Sequence, residues 1–136
     1  MKYRTLLPLL LLAACGPAAD NASTGADTNA VAHADDWYGT YTGTIPCADC
    51  EGIRVTLRLD ADFRYQRTQE YLGMSRQATE DRGTYVWDEA GRTVILMVDG
   101  SAGPQYRVGD GQILQLDEFG DEITGELADQ YVLSKQ

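Results

Sequence analysis

A small all-β domain, an antiparallel meander barrel of seven to eight strands, is the fold this sequence predicts. Three observations carry that expectation. Ile53, Val55, Leu57 and Leu59 alternate with Arg54, Thr56 and Arg58, the period of two that sends neighbouring side chains to opposite faces of a strand. Turn-forming residues recur at intervals of roughly ten residues, the spacing of short strands in a barrel or sandwich. No stretch of useful length carries helical periodicity. The 136 residues allow one domain at most, and closing the sheet removes edges that would otherwise pair with neighbours.

Taken in order, a first strand covers residues 37–43, where Tyr41 and Thr42 face opposite ways and Gly39 and Gly43 allow bending or close strand approach. Residues 53–59 form the second strand, dry on one side and wet on the other. Asp60, Ala61 and Asp62 then make a tight turn, and Phe63, Tyr65 and Tyr71 mark a third, otherwise polar strand. Residues 73–81 read as a loop. A strand over 84–87 places Tyr85 and Trp87 on one side, and residues 88–91 turn it back. In the next strand Val94, Leu96 and Val98 share one face and Ile95 and Met97 the other, the pattern of a strand covered twice or meeting a partner. Residues 99–103 read as a turn. Strands over 105–108, 112–116 and 131–134 complete the set, with Gly109, Asp110 and Gly111 as a hairpin signal between two of them. Residues 120–129 have room for a single helical turn. So few core side chains fill a barrel of this size, leaving at most a shallow pocket at one mouth.

Charge excludes some partners. The formal net charge is −10, and Lys2 and Arg4 precede an apolar run. The chain from Cys15 onward keeps 9 basic against 21 acidic residues, a formal −12. A nucleic-acid partner is not expected. An anionic membrane face would repel such a chain, so membrane association needs an anchor. The start of the sequence supplies one. Lys2 and Arg4 lie in a basic head, residues 6–12 are apolar apart from Pro8, and Ala13, Ala14 and Cys15 follow. Residues 1–14 are the length of a secretory signal, too short to span a bilayer. The run Leu12, Ala13, Ala14, Cys15 resembles a bacterial lipobox, which implies lipidation of Cys15, several acyl chains in the membrane and stable anchoring. Gly16 rather than Asp follows the cysteine, which by the same resemblance implies release to the outer membrane. Residues 15–34 are then a lipidated N-terminus and flexible tether, rich in Ala, Asn, Asp, Thr, Ser and Gly, spanning at most about 60 Å. Residues 35–136 are the barrel. Export sets an oxidising environment, and with Cys15 lipidated, the three cysteines leave one pair, Cys47 and Cys50.

That pair sits in a turn between two strands, with Pro46 before it and Gly52 after it, and three kinds of chemistry suit it. It can close a small disulfide ring that stiffens the turn, removing about 2 kcal/mol or less of unfolded-state entropy. Reduced, it can hold copper(I), a soft ion that takes two thiolates in near-linear geometry. Asp49 and Glu51 favour cations there; Asp49, Met74 and His33, the one histidine, are the candidate secondary donors, although a solvated linker position is the plainer expectation for His33. Two cysteines are too few for structural zinc. Thiol–disulfide exchange is the third. A redox-active pair usually opens a helix that lowers a thiol pKa, whereas here a strand follows and two carboxylates are adjacent. No catalytic residues are expected: there is no Ser-His-Asp set, and the acidic pairs Asp35/Asp36 and Asp117/Glu118 read as solubilising charge.

Residues 41–53, with Pro46, Cys47, Cys50, Gly52 and Ile53 in that order, resemble the signature of the NlpE-type lipoproteins, the copper-resistance or copper-homeostasis lipoprotein family. The likeness extends through Leu57 to Asp60, Phe63 to Tyr65, Gly83 to Trp87 and Tyr131 to Leu133. It implies a lipocalin-like barrel held at the outer membrane by its lipid, facing the periplasm or the surface. It also implies a sensing or binding role in envelope stress or copper tolerance, with an envelope protein as partner and copper(I) as the one cofactor suggested. The larger members carry a second, oligonucleotide-fold-like domain with cysteines of its own. Nothing after Gln136 corresponds to it, so signalling that needs that domain to engage a sensor kinase is not expected. Two other roles fit the residues. One is a structural envelope lipoprotein whose cysteines are only a clasp, docking through Trp37 or Tyr38 if these were exposed. The other is a small hydrophobic-ligand binder with a pocket lined by Tyr85, Trp87 and Leu96.

Overall fold

The computed structural model describes residues 36–136; Cys15 and His33 lie outside them. Eight strands run in chain order: β1 (Gly39–Ile45), β2 (Gly52–Leu59), β3 (Arg64–Leu72), β4 (Thr79–Trp87), β5 (Thr93–Val98), β6 (Ser101–Val108), β7 (Gln112–Gln115) and β8 (Val132–Lys135). Each pairs with the next, and β8 returns to β1, closing the barrel. The closing seam is short, Tyr41 opposite Lys135 and Thr42 opposite Ser134. Gly43 makes it sterically accessible: a Cβ there would lie 2.6 Å from the Val132 carbonyl oxygen. The expected all-β meander barrel is the fold observed.

The interior follows from the alternation. On β2, Val55, Leu57 and Leu59 are buried and Ile53 packs partly against them. Tyr41, Tyr85, Tyr106, Leu96, Ile113 and Leu133 fill the rest. Burial of this apolar surface at about 25 cal/mol per Å² is the main stabilising term. The tyrosines cost little where their hydroxyls find carbonyls. Tyr41 donates to Trp37 O and Tyr85 to Asp60 O, both at 2.6 Å.

Several elements differ from the sequence reading. The first strand begins at Gly39, leaving Trp37 packed on the core from outside the ladder. Phe63 is a turn residue at φ 65° and half-exposed, because the turn between Leu59 and Tyr65 needs a left-handed residue there. The loop expected over 73–81 is shorter. β4 starts at Thr79, with Glu80 opposite Thr68 and Asp81 opposite Arg67. The turn expected over 99–103 is only Asp99 and Gly100, both with positive φ, as a two-residue hairpin turn requires. Gly103 and Pro104 belong to β6, where the register slips by one residue between Ile95 and Met97. Such a bulge accommodates a proline without a ladder N–H. Val98 is exposed at the barrel mouth. The single helical turn is a 3-10 turn at Ala128–Tyr131.

Candidate functional site

The cysteine turn caps one end of the barrel. Cys47 and Cys50 are joined in a disulfide, with S–S 2.05 Å and Cα–Cα 5.3 Å. β1 delivers the chain to Pro46, and β2 takes it away from Gly52. Gly52 is required there twice over: its φ is +154°, and a Cβ would meet Thr44 Cγ2 at 2.8 Å. The turn is pinned from the β3 side by the Glu51 amide donating to Leu72 O at 3.2 Å. Cys50 Sγ lies 3.3 Å from Gly52 O; a disulfide sulfur carries no proton, so this is a contact that becomes a hydrogen bond only in the thiol form. Ala48, Asp49 and Glu51 are exposed and the two cysteines half-buried. A strand, not a helix, begins at Gly52, so no helix dipole is aimed at either sulfur.

Of the candidate donors, the fold brings Met74 to the same end, two residues beyond Leu72, which pairs with Gly52. Arg76 from that loop lies over the Tyr71 ring, 4.9 Å from its centroid. Disulfide sulfurs are not thiolate ligands, so copper(I) would need the reduced pair. Among the described residues no three His, Cys, Asp or Glu side chains converge as a metal site.

Below this mouth lies a polar cluster that sequence reasoning missed. Tyr65, Arg67 and Gln69 occupy one face of β3 by the period of two, and Asp81 pairs with Arg67 across the ladder. Arg67 Nε donates to Asp81 Oδ1 at 3.0 Å, with the Arg67 side chain only 15% exposed. The Tyr106 hydroxyl and Asp81 Oδ2 are buried without a hydrogen-bond partner among the described residues. Burial opposes the charge on Arg67, but Tyr106 and Asp81 outweigh it and hold the guanidinium more firmly protonated. Burial, reinforced by Asp81, pushes Tyr65 up to about 12. Burial also raises Tyr106, against the pull of Arg67. The visible signal was the inward alternation of β3, which continues through charged residues.

At the opposite end the aromatics gather. Trp37 stacks on Phe63 with centroids 6.2 Å apart, and meets Tyr38, Tyr85 and Trp87 edge-on at 5.6, 5.8 and 5.4 Å. Tyr85 and Leu96 are buried, and Trp87 packs against the same core, so the pocket expected for a small hydrophobic ligand is occupied by these side chains. Asp117, one of the paired carboxylates, shapes a turn, its Oδ1 accepting from the Phe119 and Asp121 amides.

The family model of the NlpE N-terminal domain matches residues 41–126, from the closing seam through the disulfide turn to the loop after β7. Lipoprotein NlpE of Escherichia coli K12 is 26% identical over 87 residues, which are 64% of this chain and 37% of that protein. A lipoprotein structure from Shewanella oneidensis superposes with TM-score 0.68 at 42% identity, covering 74% of this chain and 90% of that one. The crystal structure of the Cpx pathway activator NlpE from Escherichia coli superposes with TM-score 0.56 at 27% identity, covering 65% of this chain and 46% of that one. The chain thus spans less than half the length of the Escherichia coli relative. With the family's N-terminal domain matched across most of the barrel and the disulfide turn inside the match, this chain belongs to the NlpE N-terminal domain family.

Proposed function

We propose that the chain is the barrel module of a lipid-anchored outer-membrane lipoprotein that reports an envelope condition to a protein partner. The disulfide-closed turn is its responsive element. The observation that carries this reading is the Cys47–Cys50 disulfide in an exposed turn, half-buried at the sulfurs and flanked by Asp49 and Glu51. A similar structure is titled the Cpx pathway activator, which supports the signalling role. The turn can change redox state without unmaking the barrel, because its flanks are held by the β1–β2 ladder and by Leu72. The residues serve binding and shape, not catalysis. Copper(I) at the reduced pair is a second reading, favoured by the short Cα–Cα separation of 5.3 Å and by the Met74 loop at the same end.

The test is an envelope-stress reporter in cells expressing the full chain or its Cys47→Ser, Cys50→Ser variant at equal levels. The expected result is reporter induction by the chain and a changed response from the variant. Equal output from both would reduce the cysteines to a clasp, and no output from either would overturn the signalling reading. Isothermal titration of copper(I) into the reduced barrel, absent in the double variant, tests the second reading.

A further inference from the structure

We infer that the aromatic end of the barrel, around Tyr38 and Phe63, lies on the membrane that holds the anchor, so that the disulfide turn faces away from it. This rests on the reading that Cys15 is acylated. The occupant is the headgroup–acyl boundary of the lipid leaflet, and four observations argue for it.

The chain enters the described barrel at Asp36, beside Tyr38. The segment leading from Cys15 therefore meets the fold at this end. Tyr38 and Phe63 are 47% and 49% exposed; Tyr is an amphipathic ring that concentrates at membrane–water interfaces, and Phe an apolar one that inserts at the headgroup–acyl boundary. Phe63 is held on a backbone at φ 65°, a conformation that bulky residues seldom adopt, and its ring is braced by Trp37. It is a fixed prow rather than a floppy side chain.

Charge is the fourth observation. The chain as a whole is strongly acidic, yet three acids beside this patch are ion-paired in place. Asp60 pairs with Arg58 at 2.8 Å, Asp62 with Arg64 at 3.5 Å and Asp36 with Lys135 at 3.5 Å. Lys135 also lies over the Tyr38 ring, 5.8 Å from its centroid. A border of ion pairs around apolar rings matches a zwitterionic headgroup layer, where each carboxylate can meet an ammonium and each guanidinium a phosphate. Two half-exposed rings bind membrane weakly by themselves. The anchor makes the encounter intramolecular and raises the effective concentration. β2 crosses from Gly52 to Leu59, so docking at the aromatic end holds the cysteine turn about 25 Å from the contact at roughly 3.3 Å per residue.

The experiment uses the full acylated chain, isotope-labelled, in nanodiscs of phosphatidylethanolamine and phosphatidylglycerol (3:1) doped with a gadolinium-chelate lipid. Amide signals of Tyr38, of residues 60–63 and of Glu89 should broaden at least about threefold more than those of Asp49, Arg76 and Gly100. The Tyr38→Ser, Phe63→Asn variant, whose spectrum also reports its fold, should stay with the nanodiscs and lose that contrast. If the signal positions show that this double variant is unfolded, Phe63→Asn alone serves the same comparison. Uniform broadening, or broadening strongest at the disulfide end, would overturn the docking while leaving the anchor intact. Full chain that fails to co-purify with nanodiscs, behaving like a Cys15→Ser variant, would overturn the anchor and the docking together.

Discussion

Reducing the disulfide should weaken the barrel without unfolding it. The bridge closes a ring of about four residues, and loop-closure entropy for so small a ring gives about 2 kcal/mol of stabilisation at most. Part of that is returned on reduction. The freed Cys50 thiol sits 3.3 Å from Gly52 O and can donate to it. The flanks are held independently, by the β1–β2 register from Gly39 opposite Leu59 to Ile45 opposite Ile53 and by the hydrogen bond that the Glu51 amide donates to Leu72 O. A domain of this size has about 5–15 kcal/mol in hand, so the reduced barrel stays folded. Calorimetry of the oxidised protein, the reduced protein and the Cys47→Ser, Cys50→Ser variant should show Tm lowered by about 5–15 °C. Amide exchange should accelerate at Glu51 while Leu57 and Leu96 stay protected. A reduced protein that unfolds at room temperature, or a Tm unchanged within error, would refute the idea that the turn is a local, separately held element.

Three further outcomes follow from the interior. Tyr41, Tyr65, Tyr85 and Tyr106 all titrate above the usual phenol value, burial being the first cause in each. A raised folded pKa contributes stability that is complete below about pH 10 and lost as pH climbs toward the folded value, about 12 for Tyr65. Phenolate absorbance from these residues should therefore appear together with loss of the β-sheet circular dichroism between those limits. Gly43→Ala should cost about 1–3 kcal/mol, read by urea unfolding, with faster exchange at Thr42 and Ser134 on the closing seam, because its Cβ meets a backbone oxygen that cannot swing aside. Arg67→Met should cost about 1–3 kcal/mol by leaving a largely buried carboxylate unpaired. Arg67→Met with Asp81→Leu should recover most of the loss in a double-variant cycle.

Where one face of a strand is uniformly apolar, the sequence shows it plainly. Val55, Leu57 and Leu59 needed nothing but alternation, and Tyr85 with Trp87 likewise. Thr79 to Asp81 did not look like a strand because its inward residue is Asp81, whose partner Arg67 lies 14 positions earlier and becomes visible only once β3 and β4 are in register. Ser101 to Pro104 carry turn-like residues, yet a bulge absorbs the proline. Phe63 sits where turn chemistry ordinarily selects Gly or Asn; its stack on Trp37, 26 residues earlier, is a tertiary reason. Of the site, the position of the cysteine pair and the roles of Pro46 and Gly52 were legible. Its bonded state was not, because disulfide, metal and exchange chemistry use the same two residues and differ in what surrounds them.

The two ends of this barrel differ in how each is tied. At the Asp36 end both ties run from the core outward: the Tyr41 hydroxyl holds the Trp37 carbonyl and the Tyr85 hydroxyl holds the Asp60 carbonyl, each from a buried ring. Trp37 is further wedged among Phe63, Tyr85 and Trp87. A pull on the chain at Asp36 is therefore met by the core, since moving Trp37 means breaking a short hydrogen bond and opening an aromatic cluster at once. At the far end the cysteine turn is tied to itself and to its neighbouring ladder, with no buried hydroxyl reaching up to it among the described residues. Opening that turn costs a small disulfide ring and one backbone hydrogen bond. An element that responds to redox state or to a partner, as proposed for the disulfide turn, has to be the cheaper of the two to move, and in this chain the cheaper element is the one at the barrel end opposite Asp36.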